Sequence, residues 1–217
     1  MRKEMLTTGG EHMSISCDLP WVDDLIDEAT AGERRKTAAQ PPTLAVHIES
    51  TSRPFYTTGW EPVTRGAWRL GHDVMIEDVC SSGFDLQLRC GQDLMVFVFR
   101  WRPKLTGLLA RRLLPSRFTL LARAVLVQYP ALWRASLRGR APLHASVCTA
   151  GGMRPLLAGP GGVGKSTLLM QELAAGAVAI ADNICVSDGT TAWGLVEPLR
   201  VEGGAGRPMP HGRTERR

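Results

Sequence analysis

The sequence predicts an α+β protein in which antiparallel strands and helices lead into a core ordered strand, hairpin, loop, helix, strand. Three observations carry this expectation. From Thr43 to Phe99 the pattern is that of strands, with apolar and polar residues alternating in Asp73–Cys80 and Phe84–Cys90 and turn residues between the segments. From Leu105 to Leu132 the apolar spacing is helical instead. Last, the glycine-rich run Gly159-Pro160-Gly161-Gly162-Val163-Gly164-Lys165-Ser166-Thr167 follows a short apolar segment and opens a helical one.

Residues 1–40 read as peripheral, with one acidic amphipathic helix over Asp18–Glu28 and a polar linker ending at Pro41-Pro42. Met13 is a second candidate start. Residues 41–140 read as a β-meander followed by a helical region. Its strands are Asp73–Cys80, Phe84–Cys90 and Leu94–Phe99, divided by Ser81-Ser82-Gly83 and Gly91-Gln92-Asp93. A helix over Leu105–Leu114 ends in Arg111-Arg112, cations that suit the dipole there, and Pro115 stops it. Ser116 then caps a longer helix reaching Leu132, interrupted or kinked at Pro130. Residues 141–203 form the core. Leu143–Cys148 and Leu156–Ala158 flank the turn Thr149–Met153, the helix after the loop ends near Gly176, and Ala177–Asp182 is a buried strand. A hairpin around Asp188-Gly189 follows. Residues 204–217, rich in Gly, Pro and Arg, read as a disordered basic tail.

The run from Gly159 to Thr167 matches the pattern G-x-x-x-x-G-K-[ST], and each position has a physical task. Glycines let backbone N–H groups turn inward around phosphate oxygens, where a Cβ would crowd the ligand. Lys165 reaches the terminal phosphates as a point charge, and the Ser166 hydroxyl can ligate Mg²⁺. The helix that begins here directs its positive end at the same place. Nucleotide binding, with Mg²⁺ as a cofactor, is the expectation.

Three residues beyond the loop bear on what is done with the nucleotide. Asp182 closes the apolar strand after the loop helix, placed to hold Mg²⁺ or to accept a proton from an attacking hydroxyl. The alternative is a carboxylate that caps a strand at a turn. Asn183 can hydrogen-bond substrate or water, or make the turn, but cannot act as a base. His144 lies on the strand before the hairpin, as a catalytic side chain or as a satisfied core residue.

Composition narrows the classes. The 217-residue chain is 44% hydrophobic and 22% charged, the balance of a globular protein, with no apolar run long enough to cross a bilayer. The opening residues Met1-Arg2-Lys3-Glu4-Met5 lack the apolar core expected of a secretory signal. Five scattered cysteines without a C-x-x-C pair suggest reduced thiols in the cytoplasm, not a disulfide framework or zinc site. The net charge of +5 is unevenly spread: no Asp or Glu falls between Leu94 and Gln171, where arginines abound. Such a block steers an anion or forms a solvated basic surface. Nucleic-acid recognition modules are absent from the sequence.

Taken together, Leu143-His144-Ala145-Ser146, the hairpin, Gly159–Thr167 and Ile180-Ala181-Asp182-Asn183 resemble the core of the HPr kinase/phosphorylase family, with its phosphoenolpyruvate-carboxykinase-type P-loop. They also resemble its small homologues in gene clusters for lasso and related peptides. The resemblance covers residues 143 to about 200 well and the N-terminal part in outline. It implies an HPr-kinase-like serine kinase that moves the γ-phosphate of ATP to a Ser hydroxyl of a peptide or small protein. Lys165 would then stabilise the transferring phosphate, Ser166 hold Mg²⁺, Asp182 take the proton, and His144 sit in or beside the site. A homo-oligomer is compatible with this and no membrane partner is implied. Asn183 departs from the family's Asp-Asp pair, and the family's further strands and its glutamate-and-arginine signature are not found after Glu202-Gly203. The core therefore reads as incomplete at its C-terminus. Two alternatives stay open: a nucleotide-binding accessory protein without catalysis, and a small-metabolite kinase.

Overall fold

A computed structural model describes residues 2–30, 40–202, 207–208 and 213–216. The protein is a mixed α and β molecule with one large mixed sheet and few helices. Its strands are β1 (Arg2–Thr8), β2 (Glu11–Cys17), β3 (Leu44–Glu49), β4 (Glu61–Thr64), β5 (Ala67–Leu70), β6 (Asp73–Ile76), β7 (Phe84–Cys90) and β8 (Met95–Trp101). After the helical region come β9 (Ala141–Leu143), β10 (Ala145–Thr149), β11 (Leu156–Ala158), β12 (Val178–Ala181), β13 (Cys185–Ser187), β14 (Ala192–Gly194), β15 (Leu199–Glu202), β16 (Arg207–Pro208) and β17 (Arg213–Arg216). The α-helices are α1 (Pro20–Thr30), α2 (Leu105–Leu113), α3 (Pro115–Arg123), α4 (Tyr129–Leu137) and α5 (Lys165–Ala174).

The chain divides into two compact units. The first takes in the described residues within Met1–Leu6, His12–Glu28 and Gly32–Pro130, the second those within Thr7–Glu11, Ala29–Ala31 and Ala131–Arg217.

The first unit is organised by an eight-stranded sheet in the order β1-β2-β3-β8-β7-β6-β5-β4. From β4 to β8 each neighbour is antiparallel, the meander that alternation predicts. The centre differs: β2, β3 and β8 run parallel. Parallel pairing needs a crossover, and α1 lies in the connection between β2 and β3. The N-terminal segment is therefore not peripheral, since β1 and β2 extend the sheet and Met13 and Ile15 are core residues. β6 stops at Ile76, short of the expected Cys80, because Asp78 adopts a left-handed conformation and a short helical turn begins at Val79. Trp21 of α1, Phe84 and Trp101 of the sheet and Phe118 of α3 form one aromatic cluster, with ring centroids 4.7–6.1 Å apart.

The helical region corrects the expected capping. Pro115 does end α2, but it also begins α3 at a position where its missing N–H costs nothing, so Ser116 is not the cap. Between α3 and α4, Ala124–Gln128 form a π-helical turn in which the Tyr129 N–H donates to the Ala124 carbonyl. A wider turn just before Pro130 accommodates a residue that has no N–H and would crowd the carbonyl four residues back.

In the second unit, three small sheets have the orders β11-β10-β12, β14-β13-β9 and β15-β17-β16. Ala145, Val147, Ala181 and Cys185 form its buried centre, with Leu143, Ile180 and Ala192 packed on it. The tail carries strands where none were expected: β17 pairs antiparallel with β15 and β16. The rest of the tail, at 203–206, 209–212 and 217, lies outside the described residues. The acidic helix is present as α1, whereas most of the linker after it also lies outside them. Among the described residues no helix is long and apolar enough to cross a membrane.

Candidate functional site

Strand order brings the sequence-predicted residues of the second unit to one edge. β10 is central and antiparallel to both β11 and β12, so β11 and β12 run the same way. Ala145, the first residue of β10, stands opposite Ala158, the last of β11, and Val147 stands opposite Ala181, the last of β12. His144, Gly159 and Asp182 thus leave the sheet at the same end. With neighbouring strands about 5 Å apart, the starts of the two loops after β11 and β12 lie about 10 Å from each other.

The loop between β11 and α5 has the backbone that its glycines allow. Gly162 and Gly164 have φ of +79° and +96°, values that a Cβ disfavours, and at both a Cβ would meet no neighbouring atom within 4 Å. The space above them is therefore open, and the glycines serve the chain's turn. Gly164 is the N-cap of α5, with the Leu168 N–H donating to its carbonyl at 2.9 Å. Pro160, Gly161, Gly162, Val163 and Thr167 are exposed, while Gly159, Gly164, Lys165 and Ser166 are half-buried. Lys165 folds back across the loop, its ammonium donating to the carbonyls of Gly159 at 2.8 Å and Pro160 at 3.0 Å. This fixes the loop's width with a cation at its mouth. Helix α5 packs on β10 and β12 through buried Leu169. Free N–H groups at a helix start, beside an ammonium, suit an anion with several acceptor oxygens.

Asp182 is buried, 6% exposed, just past β12. Ser146, buried on β10, donates its hydroxyl to the Asp182 carbonyl at 2.7 Å, and its Oγ lies 3.4 Å from the Asp182 Oδ1. The carboxylate is thereby held at the sheet end by a partner on the central strand. Asn183, half-buried, follows. The next amide, Ile184 N–H, donates to the Glu197 carboxylate at 3.1 Å. His144 corrects its expectation: it lies outside the strands, in the break between β9 and β10, and is exposed. It is neither a core residue nor part of a strand, and an exposed imidazole at this edge is open to a ligand.

Ser146, Gly194 and Glu197 were not singled out from sequence. A serine inside the apolar run Ala145–Cys148 is the one signal that pointed at Ser146, since a buried hydroxyl needs a partner. Gly194 of β14 passes so close to β12 that an added Cβ would stand 1.7 Å from the Ile180 carbonyl oxygen. This packing braces β12 two residues before Asp182. Cys185 is buried, and burial pushes its thiol up from the ordinary value, which makes it a poor nucleophile. Among the described residues no three His, Cys, Asp or Glu side chains converge as a metal site. A divalent cation held by Ser166 and Asp182 would need further oxygens from a bound phosphate, the usual arrangement for Mg²⁺.

Compared with protein-family models, curated proteins and solved structures, the chain matches none.

Proposed function

We propose that this protein binds the phosphates of ATP at Gly159–Thr167 and transfers the γ-phosphate to a serine hydroxyl of a peptide or small protein. The observation that carries the reading is the common sheet edge at which the glycine-rich loop, buried Asp182 and exposed His144 emerge. Phosphoryl transfer is mostly positioning and charge stabilisation, so it asks for a cradle, a cation and a carboxylate at short range. The loop amides and α5 would receive the phosphates, and Lys165 would exchange its two carbonyl acceptors for phosphate oxygens. Asp182 would accept the proton of the incoming hydroxyl, and His144 would contact the transferred group or the acceptor. Mg²⁺, held by Ser166, Asp182 and the nucleotide, would neutralise the charge that builds on the phosphate oxygens. The HPr-kinase-like core enters here as part of the same proposal.

The test is incubation with γ-labelled ATP and Mg²⁺, with and without serine-containing peptides encoded beside the gene. Label should appear on the peptide, fall by about 10²-fold or more in Asp182→Asn, and be lost with ATP binding in Lys165→Ala. ATP binding without transfer to any acceptor supports the second reading, a nucleotide-binding accessory protein. Two observations favour that alternative: Asp182 is already engaged by Ser146, and Asn183 offers no second carboxylate. Failure to bind ATP at all rejects both.

A further inference from the structure

Helix α2 is built inside out. Gly107, Ala110 and Arg111 are its half-buried residues, whereas Leu105, Leu108, Leu109 and Leu113 are exposed, at 79%, 44%, 54% and 68%. At 100° per residue the four leucines share one arc, with Arg112 in its midst and the small residues on the opposite side. No residue of α2 is buried, and its attachment includes Arg111 lying 4.2 Å over the Trp21 ring. A nine-residue helix gains little from propensity alone, and ordinarily its apolar stripe faces the core. Here that stripe faces outward.

The charge around the stripe selects the occupant. Lys104 precedes the helix, Arg112 stands among the leucines, and Arg117 lies in the first turn of α3; all three are exposed. Lys104 pairs with Asp78 at 3.0 Å, while Arg112 and Arg117 make no ion pair among the described residues. No acid occurs anywhere in the sequence from Leu94 to Gln171. The outward arc of α2 is a ridge of exposed leucines with Arg112 among them. A ridge suits a fluid apolar layer beneath an anionic plane, in which leucines enter and arginines reach back to the headgroups. We propose that α2 rests on the surface of an anionic lipid bilayer, a contact that lies on the surface and does not span it.

The experiment is co-sedimentation of the full chain with vesicles of phosphatidylcholine alone or mixed with phosphatidylglycerol. Binding is expected to the mixed vesicles and to weaken with added salt. Leu108→Ser with Leu109→Ser should lower partitioning about tenfold or more, and Arg112→Ala or Arg117→Ala about fivefold each. All four side chains are exposed, so these variants should fold, which circular dichroism checks. Two results overturn the proposal. One is absence of binding to anionic vesicles. The other is binding that the leucine substitutions leave unchanged, or a self-association or capture of an acidic amphipathic peptide that they abolish while lipid binding persists. The readout does not depend on nucleotide or phosphate transfer.

Discussion

At the scale of single residues, the clearest physical constraints sit beside the candidate site. Gly194 has no room for any other residue, because its Cβ would fall on the Ile180 carbonyl. Gly194→Ala should displace β14 from β12 and cost about 3 kcal/mol, the upper end of overpacking in a close-packed interior. Denaturant unfolding measures this, and an unchanged midpoint would refute the close approach. Asp188 shows a different effect. Its carboxylate accepts from the backbone N–H of Thr191, the N–H of Thr190 and the Thr190 hydroxyl, which together hold it near about 2, below the ordinary 3.8. A depressed folded value means that this turn contributes stability above the unfolded pKa. The contribution fades as pH falls from 3.8 toward about 2. A carboxyl-carbon NMR titration should find the Asp188 midpoint well below that of a disordered aspartate. A midpoint at the ordinary value would mean that the turn does not hold its side chain.

At the scale of elements, local signals were legible and long-range pairing was not. The alternation in Phe84–Cys90 and the apolar run Leu94–Phe99 mark β7 and β8, the latter reaching on to Trp101, and the glycine-rich run marks the β11–α5 transition, because in each case the information lies within a few residues. Arg2–Thr8 and Glu11–Cys17 are polar for strands, and β2 finds its place through β3, whose partner residues lie 31 positions away in sequence. The same limit applies to the site. Asp182 and the loop were readable as chemistry, but Ser146 became part of the site only through a bond spanning 36 residues. The apolar neighbours of His144 predict a strand through it. The chain instead breaks there, with β9 pairing to β13 and β10 to β11 and β12. The π turn before Pro130 is a third case: the proline announced a disturbance, and the wide turn resolved it without ending the helical path.

At the scale of the molecule, the second unit is assembled from distant parts of the chain, and its N-terminal piece is testable. Thr7–Glu11 belongs to this unit, although 120 residues or so separate it from Ala131. The Gly9 N–H donates to the Gly194 carbonyl at 2.8 Å, and the Val196 N–H donates to Thr8 Oγ1 at 3.0 Å. Glu11 is fully buried, with Arg140 at 2.8 Å and Arg138 at 3.3 Å, and Arg140 also stacks over Trp193. A buried carboxylate between two guanidiniums is costly to lose, because the arginines are then left without their acceptor. Translation beginning at Met13 would remove all of these contacts. Such a chain should lose amide protection at Val196, whose N–H loses its acceptor, and unfold at lower denaturant. Because the deletion also strips β1 from the first sheet, the point variant Glu11→Gln separates the two effects. It keeps the shape and removes the charge, and should cost about 2 kcal/mol. Hydrogen exchange should place that loss in β13 and β14, with β7 and β8 unaffected. If the Met13 chain and Glu11→Gln both match the full chain in exchange and midpoint, residues 7–11 are dispensable to the unit that carries the candidate site.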